Sequence, residues 1–402
     1  MCASYARRCS GAGRLSPMAR PLRVRSLSPG NVLLLHAALD DGPTAIRSWK
    51  EWFAQAGSLD DGIDYGEFRL LPLVYRNLRS HGFADSADLG RLQGIYRQTW
   101  YRNRLAEARF FEALDILTAE GIDVLALKGM ALIGLAYGES GLRPMNDVDL
   151  LVHGRDMRRA LDLLQSNGWT LAQARPGEEL TFARLFHAVS VRHPRGGELD
   201  VHRHILEESN WPRADVEVWE RSRDVELSGR TVRTMDPADH LLHVIVHGMR
   251  WDPIPPIRWI PDAILLMRTQ SIDWDLLVAE ASRRGVVLAT REALAYLVDE
   301  FAGPVPEVVL TSLGALPASR LERFDFAFEQ GGPSPREQVV RYVSRYLRMT
   351  SGRGPLDRFR LFPVYLRAMW GLDSLWQIPR DGLRRTWTRA RGGDPGRVRT
   401  GH

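Results

Sequence analysis

The chain has 402 residues, 44% of them hydrophobic and 26% charged, with two cysteines and a formal net charge of +5. This is the composition of an ordinary globular protein with room for two or three compact units. Cys2 and Cys9 both lie near the N-terminus, so a disulfide scaffold or a thiolate metal site is excluded from the rest of the chain. No stretch approaches the ~20 apolar residues of a bilayer span. The first segment lacks the apolar centre of a secretory signal, and a cytoplasmic location is expected.

The positive charge sits at the ends. Residues 1–26 hold six arginines and no acid, and residues 380–402 hold seven arginines and two aspartates. The part between them is therefore mildly acidic and does not read as a nucleic-acid groove. Residues 1–30 and 380–402 are expected to be disordered basic tails. A translation start at Met18 would remove both cysteines.

From 31 to 120 the apolar spacing is helical. Val32 to Leu35 open one helix, and Trp49, Trp52 and Phe53 form the face of another. From Leu89 to Glu120, apolar residues recur at three- and four-residue steps through Leu92, Tyr96, Trp100, Leu105, Phe110, Leu114 and Leu117. Gly121 closes this helix. The aromatic stripe is expected to pack rather than bind a cofactor.

From 121 to 235 the pattern alternates. Strands are expected at Ile122–Leu127, Asp147–Val152, Phe186–Arg192, Glu198–His204, Asp224–Leu227 and Thr231–Thr234, with helices from Met130 to Tyr137 and from Arg155 to Ser166. Turns at His193–Gly197 and Ser228–Arg230 make two hairpins. From 236 to 306 the chain is helical again. Asp236-Pro237 supplies an N-cap and a first-turn proline, Trp251 to Pro256 break the chain, and further helices run over Ile260–Met267, Trp274–Arg283 and Ala289–Phe301. In 307–379, Tyr342, Tyr346, Phe359, Phe362 and Trp370 interleave with arginines, as in an amphipathic helical extension.

Chemistry concentrates in the alternating region. Asp147 and Asp149, in Arg143-Pro144-Met145-Asn146-Asp147-Val148-Asp149-Leu150, would share one face of a strand. The second hairpin would bring Asp200 beside them, with Glu198 and His202 on its own face as supporting partners. An Asp-x-Asp before an apolar run is common by chance. Three carboxylates gathered at the edge of an apolar sheet are costly unless a cation neutralises them, and a divalent metal with oxygen ligands is the natural occupant. Upstream, Lys128-Gly129 ends a buried strand. Lysine occurs only at Lys50 and Lys128, against 52 arginines, and a compact ammonium suits a phosphate in a tight pocket. Gly129 would let backbone approach a ligand, and Arg143 is a second candidate for phosphate charge. His240, His243 and His247 fall on one helical face, and offer an alternative metal centre of a hydrolase.

Leu127-Lys128-Gly129, the Leu142–Val152 segment and Leu199-Asp200-Val201-His202 together resemble the uncharacterised bacterial nucleotidyltransferases of the DNA polymerase beta superfamily. The resemblance runs over roughly Leu33 to Pro306. It implies an α+β fold, a nucleotidyltransferase-type mixed sheet flanked by N- and C-terminal helical regions. It also implies that Asp147, Asp149 and Asp200 bind two Mg²⁺ (or Mn²⁺) ions and act catalytically. Lys128-Gly129 replaces the usual Gly-Ser and lies farther from the acidic pair. The expected reaction moves a nucleoside monophosphate from an NTP such as ATP to a hydroxyl acceptor on a sugar, small antibiotic, protein or RNA end. A non-catalytic nucleotide- or partner-binding module on the same fold is the other alternative.

Overall fold

The computed structural model describes residues 27–59, 63–83, 86–172, 186–250, 257–331, 335–350 and 354–382. The two basic tails, apart from residues 27–30 and 380–382, and the expected break at Trp251–Pro256 lie outside them.

Seven strands form one mixed sheet: β1 (Val124–Ala126), β2 (Val148–Val152), β3 (Thr170–Leu171), β4 (Ala188–Arg192), β5 (Glu198–His202), β6 (Arg223–Leu227) and β7 (Arg230–Thr234), in the order β3-β4-β5-β2-β1-β7-β6. β2 runs antiparallel to β1 and parallel to β5. Every residue of β1 and β2 is buried, as expected of central strands made almost wholly of valine, leucine and alanine. Both expected hairpins form. At the tip of β6–β7, Ser228 (φ 52°) and Gly229 (φ 79°) make the two-residue left-handed turn that matches strand twist.

Helices surround the sheet. Four of them, Pro29–Leu39, Gly42–Ala56, Tyr65–Phe68 and Leu71–Ser80, precede a 34-residue helix, Ser86–Ala119, which packs with Met157–Ser166 against the sheet. After β1 the chain enters a short helix, Lys128–Leu132, that widens into a π-turn over Ile133–Tyr137. Beyond β7, Asp236 caps the Pro237–Gly248 helix by accepting from Ala238 N at 2.8 Å. Gly248 allows this helix to meet the next, Trp259–Thr269: a Cβ there would lie 2.1 Å from the Trp259 ring. Helices Trp274–Arg284, Val287–Phe301 and Glu307–Ala315 follow.

One hydrophobic core runs from Leu34 through the sheet to Leu313, so the first helical region, the alternating region and the second helical region share their interior. Tyr346, Met349 and Tyr365 form a separate small cluster in the C-terminal extension. Among the described residues no helix is long and apolar enough to cross a membrane.

The long helix departs from expectation at its middle. Leu92, Phe110 and Leu117 are fully buried, whereas Trp100 and Leu105 are 46% and 51% exposed. At 1.5 Å per residue the helix spans about 50 Å, more than the sheet beneath it can cover.

Candidate active site

Asp149 and Asp200 are register partners in the parallel β2–β5 pair, so adjacent strands set their carboxylates side by side. His202 follows two residues on, on the same face. Ligand atoms of Asp149, Asp200 and His202 all lie within 4.8 Å of one another, and they form the one such group among the described residues. Strand burial explains why these polar groups are held so firmly: the intervening Leu150, Leu199 and Val201 are fully buried.

Asp149 is 3% exposed and doubly held. Lys128 Nζ donates to its Oδ1 at 2.5 Å, and His202 Nε2 to the same oxygen at 2.8 Å. Burial alone would raise its pKa, but the Lys128 charge and the His202 hydrogen bond outweigh burial and hold it well below the carboxylate range. Asp200 shifts the other way. Burial and the neighbouring Asp149 charge raise it, against a hydrogen bond from Ser190, its partner across β4–β5. Asp200 Oδ1 and His202 Nδ1 are both buried without a hydrogen-bond partner. Two in-register carboxylates, an orphaned oxygen and a nearby imidazole fit a divalent cation.

Lys128 sits in a left-handed backbone conformation, φ 40°, which is uncommon for a residue with a side chain. That conformation starts the Lys128–Leu132 helix directly off β1 and points the ammonium at Asp149. Strain of this kind persists where the surroundings enforce it.

Other expected site residues are placed differently. Asp147 belongs to the bend before β2 rather than to the strand, is half-buried, and stands outside the Asp149–Asp200–His202 group. The bend is held from elsewhere: Arg258 Nη1 donates to Pro144 O at 2.5 Å, and Asn146 Nδ2 to the Tyr65 hydroxyl. Arg143 is 5% exposed, and its Nε and Nη2 both donate to Asp262 at 2.8 Å, with Tyr137 donating to the same carboxylate at 2.6 Å. Its fork is thus committed inside the protein. Gly129 makes room for the side chains of that segment: an added Cβ would lie 2.3 Å from Met145 Sδ and 2.7 Å from Arg143 Nη1. Glu198 pairs with Arg192 at the outer end of β5.

Of the three histidines of the Pro237–Gly248 helix, His243 and His247 are edge-to-face neighbours with ring centroids 6.3 Å apart, and none belongs to the Asp149–Asp200–His202 group. His240 Nε2 bonds Thr234 Oγ1 at 2.7 Å, and that hydroxyl donates to Ala126 O, pinning β7 to β1. His243 is buried on the side of Lys128, whose charge, after burial, lowers its pKa. His247 is exposed.

Sequence reasoning missed Asp262, Tyr65, Arg258 and also Arg69, whose Nη2 donates to the Tyr65 hydroxyl at 3.0 Å, as neighbours of the site. Asp262 left a readable signal, a lone acid within the apolar run from Trp259 to Met267; the other three left none.

Residues 67–302, more than half of the chain, match the family described as an uncharacterised nucleotidyltransferase. The fold is that of a nucleotidyltransferase-like protein, and the chain is a member of that uncharacterised family. A solved structure titled as an antigenic nucleotidyltransferase-like protein from Paracoccidioides brasiliensis is similar at 18% identity, covering 54% of this chain and 94% of that one with a TM-score of 0.33. No curated protein matches the chain.

Proposed function

We propose that the chain is a metal-dependent nucleotidyltransferase of the DNA polymerase beta superfamily, moving a nucleoside monophosphate from an NTP to a hydroxyl acceptor. The observation that carries this reading is the in-register Asp149–Asp200 pair within a nucleotidyltransferase family match. Asp149 and Asp200 would hold the divalent metal, with Asp147 closing on it from the bend and His202 fixing the orientation of Asp149. When bound, the metal supplies Lewis-acid charge to the phosphate oxygens and lowers the pKa of the acceptor hydroxyl.

In the proposed reaction the acceptor oxygen forms a bond to the α-phosphorus while the bond from that phosphorus to the β-bridging oxygen breaks. Pyrophosphate leaves, and the hydroxyl proton passes to Asp200. Asp200 is placed for this role by its register beside Asp149 and by an Oδ1 that no protein group engages. Lys128, anchored on Asp149, adds fixed positive charge at the phosphates.

The test is pyrophosphate release from ATP, GTP, CTP and UTP with Mg²⁺ or Mn²⁺ over a panel of sugar, amino-alcohol and peptide hydroxyls. Asp200→Asn is expected to lower release by at least a hundredfold; undiminished release in that variant would refute the assignment. The Lys128–Asp149 ion pair favours one second reading, a self-neutralised site that binds nucleotide without transferring it. Nucleotide binding with no release for any acceptor would support that reading.

A further inference from the structure

Two arginines from opposite sides of the sheet sequence converge on the segment just before Asp147. Arg258, at the head of the Trp259–Thr269 helix, donates Nη1 to Pro144 O at 2.5 Å. Arg69, beyond the Tyr65–Phe68 helix, lies 4.1 Å over the Tyr65 ring and donates Nη2 to its hydroxyl at 3.0 Å. Asn146 bonds that same hydroxyl. Arg258 is thus bonded to this segment directly and Arg69 through the Tyr65 hydroxyl, and Arg143, just before Pro144, adds a third charge.

Only Arg143 of the three has a carboxylate in ion-pair contact among the described residues. Arg69 Nε is buried without a hydrogen-bond partner. Burial and the charges of Arg143 and Arg69 push Arg258 down to about 10, with Asp262 and Asp147 pulling the other way. Gathering three like charges is unfavourable unless an anion joins them. A clamp on the Pro144 carbonyl accounts for one nitrogen of Arg258 and leaves Arg69 unexplained. Guanidinium groups are suited to phosphate oxygens, which they engage through parallel N–H donors.

We propose that Arg69 and Arg258 form a polyphosphate clasp at the Asp147 edge of the site and take the β- and γ-phosphates of the NTP. The assignment of those phosphates rests on the nucleotidyltransferase reading. The clasp would do what Arg143, locked on Asp262, does not. It also assigns a function to helical regions outside the sheet: each contributes one arm of the phosphate site.

The experiment is calorimetric titration of inorganic tripolyphosphate, without metal, into the full chain and its Arg69→Gln, Arg258→Gln and Arg258→Lys variants. Each glutamine variant is expected to bind at least tenfold more weakly, and Arg258→Lys to recover part of the loss. Should Arg258→Gln fail to fold, Arg69→Gln alone decides, since its hydrogen-bond partner is an exposed tyrosine. Wild-type protein that does not bind tripolyphosphate, or glutamine variants that bind it as wild type does, would overturn the clasp. The two readings fail separately. Clasp-dependent tripolyphosphate binding without any nucleotidyl transfer sinks the enzyme reading alone, and transfer unaffected by the glutamine variants sinks the clasp alone.

Discussion

At the scale of single residues, Arg143 shows how burial changes a role. A sequence reader sees an arginine four residues before an acidic pair and assigns it to a phosphate. In the fold, its bidentate bond to Asp262 reaches 119 positions along the chain, a pairing that no local pattern discloses. Removing one partner of a buried pair leaves the other charged and dry, which costs about 3–5 kcal/mol. Arg143→Ala is accordingly expected to lower stability by about that amount in chemical denaturation, and Arg143→Ala with Asp262→Ala by less. Equal losses in the single and double variants would show that the pair is not the reason. Lys128 shows the reverse case. Its rarity and its place at the end of an apolar strand singled it out, and it lies on Asp149 Oδ1 with a left-handed backbone. What could not be read was its immediate partner, because the β1–β2 register that delivers Asp149 is a property of the sheet.

At the scale of elements, most of the sheet was legible. Alternation and turn residues located β1, β2 and β4 to β7, to within a few residues of their ends, because each is a short apolar or alternating run. The position of Asp147 was not legible: β2 starts at Val148, since contacts from Arg258 and Tyr65 hold the preceding residues in a bend. The histidine face was legible as a face but not as packing against Thr234, which depends on β7 pairing with β1. Ion pairs between elements carry a pH signature. Glu208, in the Glu207–Ser209 turn, accepts from Arg250 Nη2 at 2.7 Å. Burial opposes its ionisation, but Arg250 outweighs burial and lowers its pKa to about 2. A depressed carboxylate stabilises the fold above its unfolded pKa of about 4.5, and that contribution is lost as pH falls toward about 2. Glu208→Gln is therefore expected to melt below wild type at pH 7, with the gap narrowing as pH falls from about 4.5 toward about 2. A gap that persists unchanged at pH 3 would contradict this.

At the scale of the whole molecule, one core joins the helical regions to the sheet, and the site draws on all three. The sheet provides Asp149, Asp200 and His202; the first helical region provides Tyr65 and Arg69; the second provides Arg258 and Asp262. Fold class was readable because hydrophobic periodicity is local. The convergence of distant arginines was not, because it follows from how helices pack around the sheet. The central claim is that nucleotide and metal meet at the Asp149–Asp200 pair and not at the histidine face. The most direct measurement is calorimetric binding of ATP, GTP, CTP and UTP, with and without Mg²⁺ or Mn²⁺, to wild type, Asp200→Asn and His247→Ala. Asp200→Asn removes one of two like charges in a buried setting and is expected to fold as wild type does. The account predicts metal-dependent binding of at least one triphosphate, lost in Asp200→Asn and kept in His247→Ala. Binding that survives Asp200→Asn and disappears in His247→Ala would contradict it.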